Sequence, residues 1–335
     1  MTVELVNRIL AGDVRSAARL MRGIEDGHRG ALETLESLYP HTGKAYIVGV
    51  TGAPGGGKST LVDALIGAFR HRDMTVGVVA IDPTSPLTGG AILGDRVRMQ
   101  QHCTDHGVFI RSVATRGWLG GLARAAIGII HVMDAMGKDV VLVETVGIGQ
   151  QEVDVTRLAH SSVFVLTPDS GDAIQMMKAG ILEVADIFVI NKADQEGALR
   201  VKRELQAMLN MKNSQPDERC PPIVLTEAVN GRGVEELTGE IMKHQESLVS
   251  HGGLEKREHE RAQLELAEAI ESSLRDYISS SVDEASQEKL VDDLVRRKIS
   301  PRAAALEIIS QLTRPQKSDL SSGISSTMSW NPLID

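Results

Sequence analysis

Short apolar runs recur through the middle of the chain and predict buried strands. They are YIVGV (46–50), VGVVAI (76–81), VFI (108–110), DVVLVE (139–144), SVFVLT (162–167), DIFVIN (186–191) and PIVLT (222–226). Stretches with apolar residues at helical spacing separate nearly all of these runs. Such alternation is typical of an α/β fold with a mainly parallel sheet and helices on both faces, in which ligands bind beyond the carboxyl ends of the strands.

Helical patterns also flank this sheet region, which we expect to occupy residues 44–250. Before it, residues 1–43 carry apolar positions at helical spacing, broken at Gly12 and again from Gly27. They predict an N-terminal helical extension of two or three short helices.

After the sheet region, residues 251–312 predict a C-terminal region of long charged helices. In the last of them we expect Ser300 to cap the helix and Pro301 to occupy its first turn. Its single apolar face must cover something, either the sheet, as a helical lid, or a second copy of the chain, as a dimer arm. Residues 313–335 are Ser-rich with little apolar content, which predicts disorder.

The composition and net charge of the chain restrict the expected cellular compartment and the expected classes of binding partner. The two cysteines, Cys103 and Cys220, are too few for a disulfide framework, which fits a reducing compartment. No stretch approaches the roughly 20 apolar residues of a membrane span, and the N-terminus lacks a signal-peptide pattern, so we expect a cytoplasmic protein that does not enter a membrane. A net charge of -9 without a long Lys/Arg block disfavours nucleic-acid binding.

The sequence GAPGGGKS lies between the first apolar run and a helical stretch, which is the context of a P-loop. Its glycines allow successive backbone N–H groups to surround an anion at the positive end of the following helix. Lys58 would reach the β- and γ-phosphates, and the Ser59 hydroxyl would hold Mg²⁺. The predicted phosphate-binding residues are Gly52, Ala53, Pro54, Gly55, Gly56, Gly57, Lys58, Ser59 and Thr60.

The strand DVVLVE ends in a second group of candidate nucleotide ligands. Glu144 takes the place where many P-loop proteins have an Asp directed at Mg²⁺. Gly147 can place its N–H against a γ-phosphate. Gln150 lies where a side-chain amide would orient the attacking water, or it is simply an exposed loop amide.

The sequence NKAD after the strand DIFVI predicts that the nucleotide is guanine. The Asp194 carboxylate would accept hydrogen bonds from N1–H and N2–H of guanine, a donor pair that adenine lacks. Asn191 would tie this loop to the phosphate loop, and the Lys192 stem would cover a face of the base. After the next strand, at Thr226, Glu227 and Ala228, a backbone N–H is expected to meet the guanine O6.

The polar loop of residues 80–99 is a candidate for a segment ordered by Mg²⁺ and γ-phosphate. Asp82 and Asp95 are candidate Mg²⁺ ligands, directly or through water, and Asp95 is alternatively a catalytic group acting on the nucleophilic water. Arg96 and Arg98 would neutralise phosphate charge, cap the following helix, or simply lie on the surface. The candidate catalytic residues of the whole chain are Lys58, Asp95, Glu144 and Gln150.

The blocks TGAPGGGKST, AIDPTSPLTGGAILGDRVRM, VETVGIGQ, GDAIQMMKAGILEVAD and NKAD together resemble the MeaB/ArgK family of GTPases, with similarity over residues 1–312. The resemblance implies a SIMIBI-class P-loop domain, a homodimer, and slow GTP hydrolysis to GDP that a partner accelerates. That partner would be an adenosylcobalamin-dependent acyl-CoA mutase such as methylmalonyl-CoA mutase. The implied task is to gate loading of its cofactor and to protect or reactivate it.

Three segments depart from the family pattern. The chain reads GQQE (149–152) for GQSE, and ATRGWLGG (114–121), with Arg116 and Trp118, for a small-residue segment. It reads GDAIQMMKAG (171–180), which keeps Lys178 as a candidate coupling residue but replaces a second lysine. Because these changes lie where a partner or switch surface is expected, we hypothesise a mutase other than the methylmalonyl-CoA enzyme.

Two other functions remain open on the sequence alone. His102, Cys103 and His106 form an HCxxH cluster, expected on a helix with both histidines on one face. This cluster suggests a nickel or zinc metallochaperone GTPase, or else an ordinary amphipathic helix that carries two histidines. The second alternative is a regulatory module that binds GTP without hydrolysing it.

Overall fold

The structure is a computed structural model that describes residues 2–82, 102, 104–114, 121–145, 157–168, 181–212 and 220–312. The chain forms two compact units, Met1–Glu268 and Ala269–Asp335. No described helix has both the length and the apolar content of a membrane span.

A sheet of seven strands organises the first unit, and each neighbouring pair is parallel. The strand order is β3-β2-β4-β1-β5-β6-β7. The strands are β1 (Tyr46–Gly52), β2 (Val76–Asp82), β3 (Val108–Ala114), β4 (Val140–Thr145), β5 (Ser161–Leu166), β6 (Ile187–Ile190) and β7 (Ile223–Leu225). The sheet confirms the α/β prediction, and every predicted apolar run forms a strand.

Helices alternate with these strands and flank them. The α-helices of the first unit are α1 (Thr2–Leu10), α2 (Val14–Glu25), α3 (Arg29–Leu38), α4 (Lys58–Arg70), α5 (Gly121–Ala135), α6 (Ile181–Val184), α7 (Ala198–Lys212) and α8 (Val234–Ser250). Helix α9 (Gly253–Ser281) begins in the first unit and ends in the second. The short 3-10 helices Tyr39–His41 and Ala228–Asn230 precede β1 and α8.

Helices α4 and α8 cover one face of the sheet. Leu61 and Leu65 of α4 and Leu237 and Ile241 of α8 belong to one buried cluster with alternate residues of the central strands. The opposite face carries α6 and α7 beside β5, β6 and β7, where Phe188 lies in a second cluster. The sheet is therefore covered on both faces, as its near-continuous apolar strands require.

The N-terminal helices complete the opposite face beside β1, β2 and β4. Leu20, Met21 and Ile24 of α2 share a buried cluster with Ile129 of α5 and with residues of β1, β2 and β4. A methyl group on Gly128 of α5 would lie 3.0 Å from Ile24, so a glycine permits this close packing. The prediction of two or three short helices is confirmed with three, and their apolar faces cover α5.

The second unit contains the end of α9, then α10 (Glu284–Val295) and α11 (Pro301–Leu312). The Ser300 hydroxyl accepts a hydrogen bond from Ala303 N–H at 3.2 Å, and α11 begins at Pro301. Ala304 is buried on this helix. The predicted cap and first-turn proline of the last helix are therefore confirmed.

Candidate nucleotide site

The phosphate loop connects β1 to α4 at the carboxyl edge of the sheet. Gly52, Gly55 and Gly57 have φ angles of 137°, 74° and 81°, in the region that favours glycine. A methyl group on Gly52 would lie 2.2 Å from the Val165 carbonyl oxygen of β5. The loop conformation therefore requires the glycines that the sequence supplies.

Lys58 lies at the first position of α4 and is buried. Its Nζ donates hydrogen bonds to the carbonyl oxygens of Gly52 at 2.7 Å and Ala53 at 3.1 Å. These contacts hold the ammonium group against the loop whose N–H groups are expected to surround a phosphate. Pro54 and Gly55 are exposed at the tip of the loop.

Ser59 and Glu144 meet at the base of the phosphate loop. The Ser59 hydroxyl donates to Glu144 Oε1 at 2.6 Å, and both residues are buried. A carboxylate and a hydroxyl are the oxygen donors that Mg²⁺ prefers, so the pair fits a magnesium site. Thr60 follows on α4 and is half-buried.

Asn191 joins three segments of the site. Its Nδ2 donates to the Gly56 carbonyl oxygen at 2.9 Å. Its Oδ1 accepts from Thr226 Oγ1 at 3.0 Å and from Ala228 N–H at 3.1 Å. The structure thus contains the expected link from Asn191 to the phosphate loop and adds a second link to the segment after β7.

The rest of the NKAD loop lies at the surface or is half-buried. Lys192 is half-buried and has a φ angle of 56°, a left-handed conformation that a residue with a side chain rarely adopts. Ala193 N–H donates to the Thr226 carbonyl oxygen at 3.0 Å, which holds the loop beside the last strand. Asp194 is exposed, so its carboxylate is accessible to a base that approaches from solvent.

The amides of Thr226, Glu227 and Ala228 include the expected donor to the guanine O6. Thr226 N–H donates to Ile190 O and Glu227 N–H to Arg232 O, both at 3.0 Å. Ala228 N–H donates to Asn191. All three amides therefore have protein acceptors here, and a contact with O6 requires one of them to share or exchange its hydrogen bond.

Several predicted residues lie outside the described part of the chain. They are Asp95, Arg96, Arg98, Cys103, Arg116, Trp118, Gly147, Gln150 and Lys178, together with the side chain of Asp82. The described site consequently comprises the phosphate loop, Glu144, the NKAD loop and the segment after β7.

The histidine cluster is arranged differently from its prediction. His106 is exposed in a turn before β3, so the two histidines do not share a helix face. His102 Nε2 lies 3.4 Å from Asp63 Oδ1 of α4. Among the described residues no group of three His, Cys, Asp or Glu side chains is placed to hold a metal ion.

One pair of residues at the site was not predicted. Thr145 Oγ1, at the end of β4, donates to Thr51 Oγ1 of β1 at 3.0 Å. Threonines are common in strands, and only the register of β1 against β4 reveals that these two are neighbours.

Known proteins resemble this chain over most of its length. Residues 18–283 match the model of the family described as methylmalonyl Co-A mutase-associated GTPase MeaB. A protein of Pyrococcus abyssi named as a GTPase is 46% identical, covering 93% of this chain and 97% of that protein. GTPase ArgK of Escherichia coli is 33% identical, covering 84% of this chain and 87% of that protein.

Two further similarities concern a mammalian protein and a solved structure. The mouse protein named methylmalonic aciduria type A homolog, mitochondrial, is 29% identical, covering 77% of this chain and 63% of that protein. A crystal structure titled LAO/AO transport system kinase superposes with a TM-score of 0.68 and 25% identity, covering 93% of this chain and 98% of that chain.

Proposed function

Because this chain belongs to the MeaB family of GTPases, we propose that it couples GTP hydrolysis to the loading of adenosylcobalamin onto an acyl-CoA mutase. In this proposal it gates entry of the cofactor and protects or reactivates the mutase. The family description and the name of the mouse relative, which both refer to methylmalonyl metabolism, support a mutase as the partner. We place this function in the cytoplasm.

The contacts of Asn191 with both the phosphate loop and the segment after β7 carry the assignment of the site. These hydrogen bonds fix the distance between the phosphate loop, which would bind the phosphates, and the NKAD loop, which would recognise the base. We propose that Lys58 and the loop amides bind the triphosphate and that Asp194 selects guanine. Aspartate at that position accepts both donors of guanine, whereas an amide does not.

Mg²⁺ would be held by Ser59 with Glu144 beside it, and Asp82 and Asp95 are proposed as further ligands, directly or through water. The ion would neutralise charge on the β- and γ-phosphates. The chain itself supplies the Lys58 charge, the loop dipoles and a buried Glu144 carboxylate. Asp95 and Gln150 are proposed to act on the attacking water, and Gly147 to contact the γ-phosphate.

The nucleotide assignment is tested by equilibrium binding. Lys58→Ala should lose GTP binding because a phosphate charge disappears, whereas Asp194→Asn should weaken GTP and favour xanthosine triphosphate, whose ring presents a carbonyl in place of the N2 amino group. Lys44→Ala, a lysine before β1 and away from the loop, is the control. Equal affinity of the wild-type chain for ATP and GTP would contradict the assignment.

The coupling is tested by hydrolysis with purified mutases. We expect an adenosylcobalamin-dependent acyl-CoA mutase to accelerate phosphate release, and Lys178→Ala to reduce that acceleration while leaving hydrolysis by the isolated protein intact. Methylmalonyl-CoA mutase and related acyl-CoA mutases are compared side by side. Strong acceleration by the methylmalonyl-CoA enzyme alone would reject our hypothesis of a different mutase, and none by any mutase would reject the coupling.

We also propose that the C-terminal helical region, residues 251–312, is the dimerisation arm of a homodimer. Ile270, Leu274 and Tyr277 of α9 are 52%, 55% and 56% exposed, and their spacing places them on one side of the helix. An exposed apolar row of this kind is typical of a protein interface. Ile270→Glu with Leu274→Glu should give a monomer in analytical ultracentrifugation, and Glu271→Ala should not; a monomeric wild-type chain would contradict the proposal.

A further inference from the structure

Two threonine hydroxyls form a hydrogen bond at the carboxyl edge of the sheet, next to the nucleotide site. Thr51 and Thr145 are 2% and 1% exposed, and their Oγ1 atoms are 3.0 Å apart. The register that aligns Val50 with Glu144 places Thr51 directly opposite Thr145 on adjacent parallel strands. The hydrogen bond between them therefore joins the carboxyl end of β1 to the carboxyl end of β4.

The neighbours of this pair along each strand belong to the nucleotide site. Successive side chains of a strand point to opposite faces, so Thr145 and Glu144 project to opposite sides of the sheet. Val141 and Val143 share the cluster with α5, and Val140 and Leu142 share the cluster with α4. Glu144 accordingly faces α4, where it meets Ser59, and Thr145 faces the α5 side.

Thr51 lies next to the phosphate loop along the chain. It immediately precedes Gly52, whose carbonyl oxygen accepts the hydrogen bond from Lys58 Nζ at 2.7 Å. Hydrogen bonds on both faces of the sheet thus join the end of β4 to Ser59 of the phosphate-binding segment and to Thr51, the strand residue that precedes this segment. On one face Ser59 donates to Glu144, and on the other Thr145 donates to Thr51.

We propose that Thr51 and Thr145 are positioning residues that hold the Glu144 carboxylate at the distance from the phosphate loop that Mg²⁺ binding needs. This inference rests on the proposed placement of Mg²⁺ beside Ser59 and Glu144. In this role neither threonine would touch the ion or the nucleotide. The backbone pairing of β1 with β4 extends to Val50 and Glu144, and the hydroxyl contact adds a restraint on the two strand ends immediately beyond this last pair.

The alternative is a hydrogen bond that serves stability alone, and a double variant separates the two roles. Thr145→Val leaves the Thr51 hydroxyl buried beside a methyl group, so it should lower the melting temperature whichever role is correct. Thr51→Val with Thr145→Val removes both hydroxyls, keeps two β-branched strand residues, and should restore the melting temperature.

The readouts are the Mg²⁺ concentration that gives half-maximal GTP binding, kcat for GTP hydrolysis, and the melting temperature. In a positioning role the double variant needs about 10- to 100-fold more Mg²⁺ and loses kcat by a similar factor despite its restored melting temperature. The single variant Thr145→Ser keeps a hydroxyl at this position and should therefore retain most of the wild-type Mg²⁺ affinity. A double variant with wild-type Mg²⁺ affinity and kcat would overturn the proposal.

Thr34→Val of α3 is the matched control. Thr34 is also a buried threonine, and its hydroxyl donates to the Gly30 carbonyl oxygen at 2.7 Å, on a helix that lies outside the site. It should change stability without changing the Mg²⁺ requirement. If wild-type GTP binding were independent of Mg²⁺ and of Ser59, the proposed function and this inference would fail together, whereas an unaffected double variant would reject the positioning role alone.

Discussion

At the scale of single residues, the phosphate loop depends on a glycine that touches a neighbouring strand. Gly52 combines a φ angle of 137° with an approach to Val165 that leaves no room for a side chain. We therefore expect Gly52→Ala to destabilise the protein by about 3 kcal/mol or more, because a methyl group would displace the β5 backbone. Urea unfolding with GTP-binding measurements would test this expectation.

Gly67→Ala is the matched control for that substitution. Gly67 lies within α4, and a methyl group there would meet no described atom within 4 Å. Alanine is favoured over glycine inside a helix, so this change should be neutral or stabilise by about 0.5–1 kcal/mol. Equal stability of the two alanine variants would show that the Gly52 backbone relaxes freely, contrary to our reading of the loop.

An ion pair between α4 and the turn before β3 predicts a dependence of stability on pH. Arg70 donates to both carboxylate oxygens of Asp105, and Gly107 N–H donates to one of them. The hydrogen bonds from Arg70 and Gly107 hold the pKa of Asp105 below its ordinary value. Because the folded-state pKa is the lower one, the pair stabilises the fold above the unfolded-state pKa of about 3.9, and this contribution is lost as the pH falls.

Asp105→Asn should therefore lower the free energy of unfolding at pH 7 by about 1 kcal/mol, a modest value because the Arg70 and Asp105 side chains are 27% and 32% exposed. The difference from wild type should shrink as the pH is lowered through about 4. Urea unfolding from pH 3 to 7 measures it, with the exposed Glu36→Gln as control. A stability difference between variant and wild type that increased as the pH was lowered would contradict the predicted direction of the pH dependence.

The NKAD residues were predictable one by one, but the threonine pair was not. Asn191, Lys192 and Asp194 follow an apolar run in a fixed order, so their place at a strand end can be read from the sequence. The contact between Thr51 and Thr145 depends on which strands are neighbours and on their register. Neither property is encoded by local periodicity, because strands that are far apart in sequence pair through tertiary packing.

At the scale of elements, the first half of α9 is attached to the sheet by charged groups. Arg257 donates to the His160 carbonyl oxygen at 2.7 Å and to both oxygens of Asp186, at 2.6 and 2.9 Å. Asp186 also accepts from Ser162 N–H at 2.8 Å. This carboxylate therefore joins the helix to the chain immediately before β6, where Asp186 itself lies, and to the start of β5.

A histidine extends the same attachment. Ile47 N–H donates to His160 Nδ1 at 3.0 Å, so Nε2 carries the proton and donates to Glu258 Oε1 of α9 at 2.6 Å. Burial raises the pKa of Glu258, but the hydrogen bond from His160 and the charge of Arg261 outweigh burial and lower the pKa overall. The Glu258 carboxylate of α9 thus remains charged at neutral pH.

Removing the Asp186 carboxylate should loosen α9. Asp186→Ala leaves the Arg257 guanidinium half-buried without its bidentate acceptor, and we expect a loss of about 2–4 kcal/mol in the free energy of unfolding. Urea unfolding measures it. Glu271→Ala removes an exposed ion pair with Arg275 on the same helix and should change stability by less than about 0.5 kcal/mol; a similar effect of both changes would contradict a special role for Asp186.

The apolar runs predicted the strands because parallel strands covered on both faces are apolar throughout. The helical pattern of residues 1–43 predicted helices but not the surface that they cover. Periodicity identifies an apolar face, whereas its partner, here α5, is fixed by the chain path. The helix expected around His106 is wrong because i, i+4 spacing of two histidines occurs in a turn as readily as in a helix.

At the scale of the whole molecule, the N-terminal helices and the nucleotide-binding sheet share a buried core. Ile9 of α1, Met21 of α2 and Leu38 of α3 belong to the cluster that also contains Ile47 of β1 and Val143 of β4. These two strands carry the phosphate loop and Glu144 at their carboxyl ends. The bounds 1–43 of the N-terminal helical extension stay a prediction, but the core of these helices is not separate from that of the sheet.

A shared core implies that nucleotide binding stabilises the N-terminal helices, which do not contact the nucleotide site through any hydrogen bond among the described residues. If the first unit unfolds cooperatively, a nucleotide at about 100 times its Kd adds about 2.7 kcal/mol to the free energy of unfolding. Amides of α2 that exchange only on global unfolding should then exchange about 100-fold more slowly with GDP and Mg²⁺. Hydrogen-exchange mass spectrometry measures this, with Lys58→Ala plus nucleotide as the control. Slowing confined to β1 and α4 would show that the N-terminal helices unfold independently, despite the apolar contacts that join them to α5.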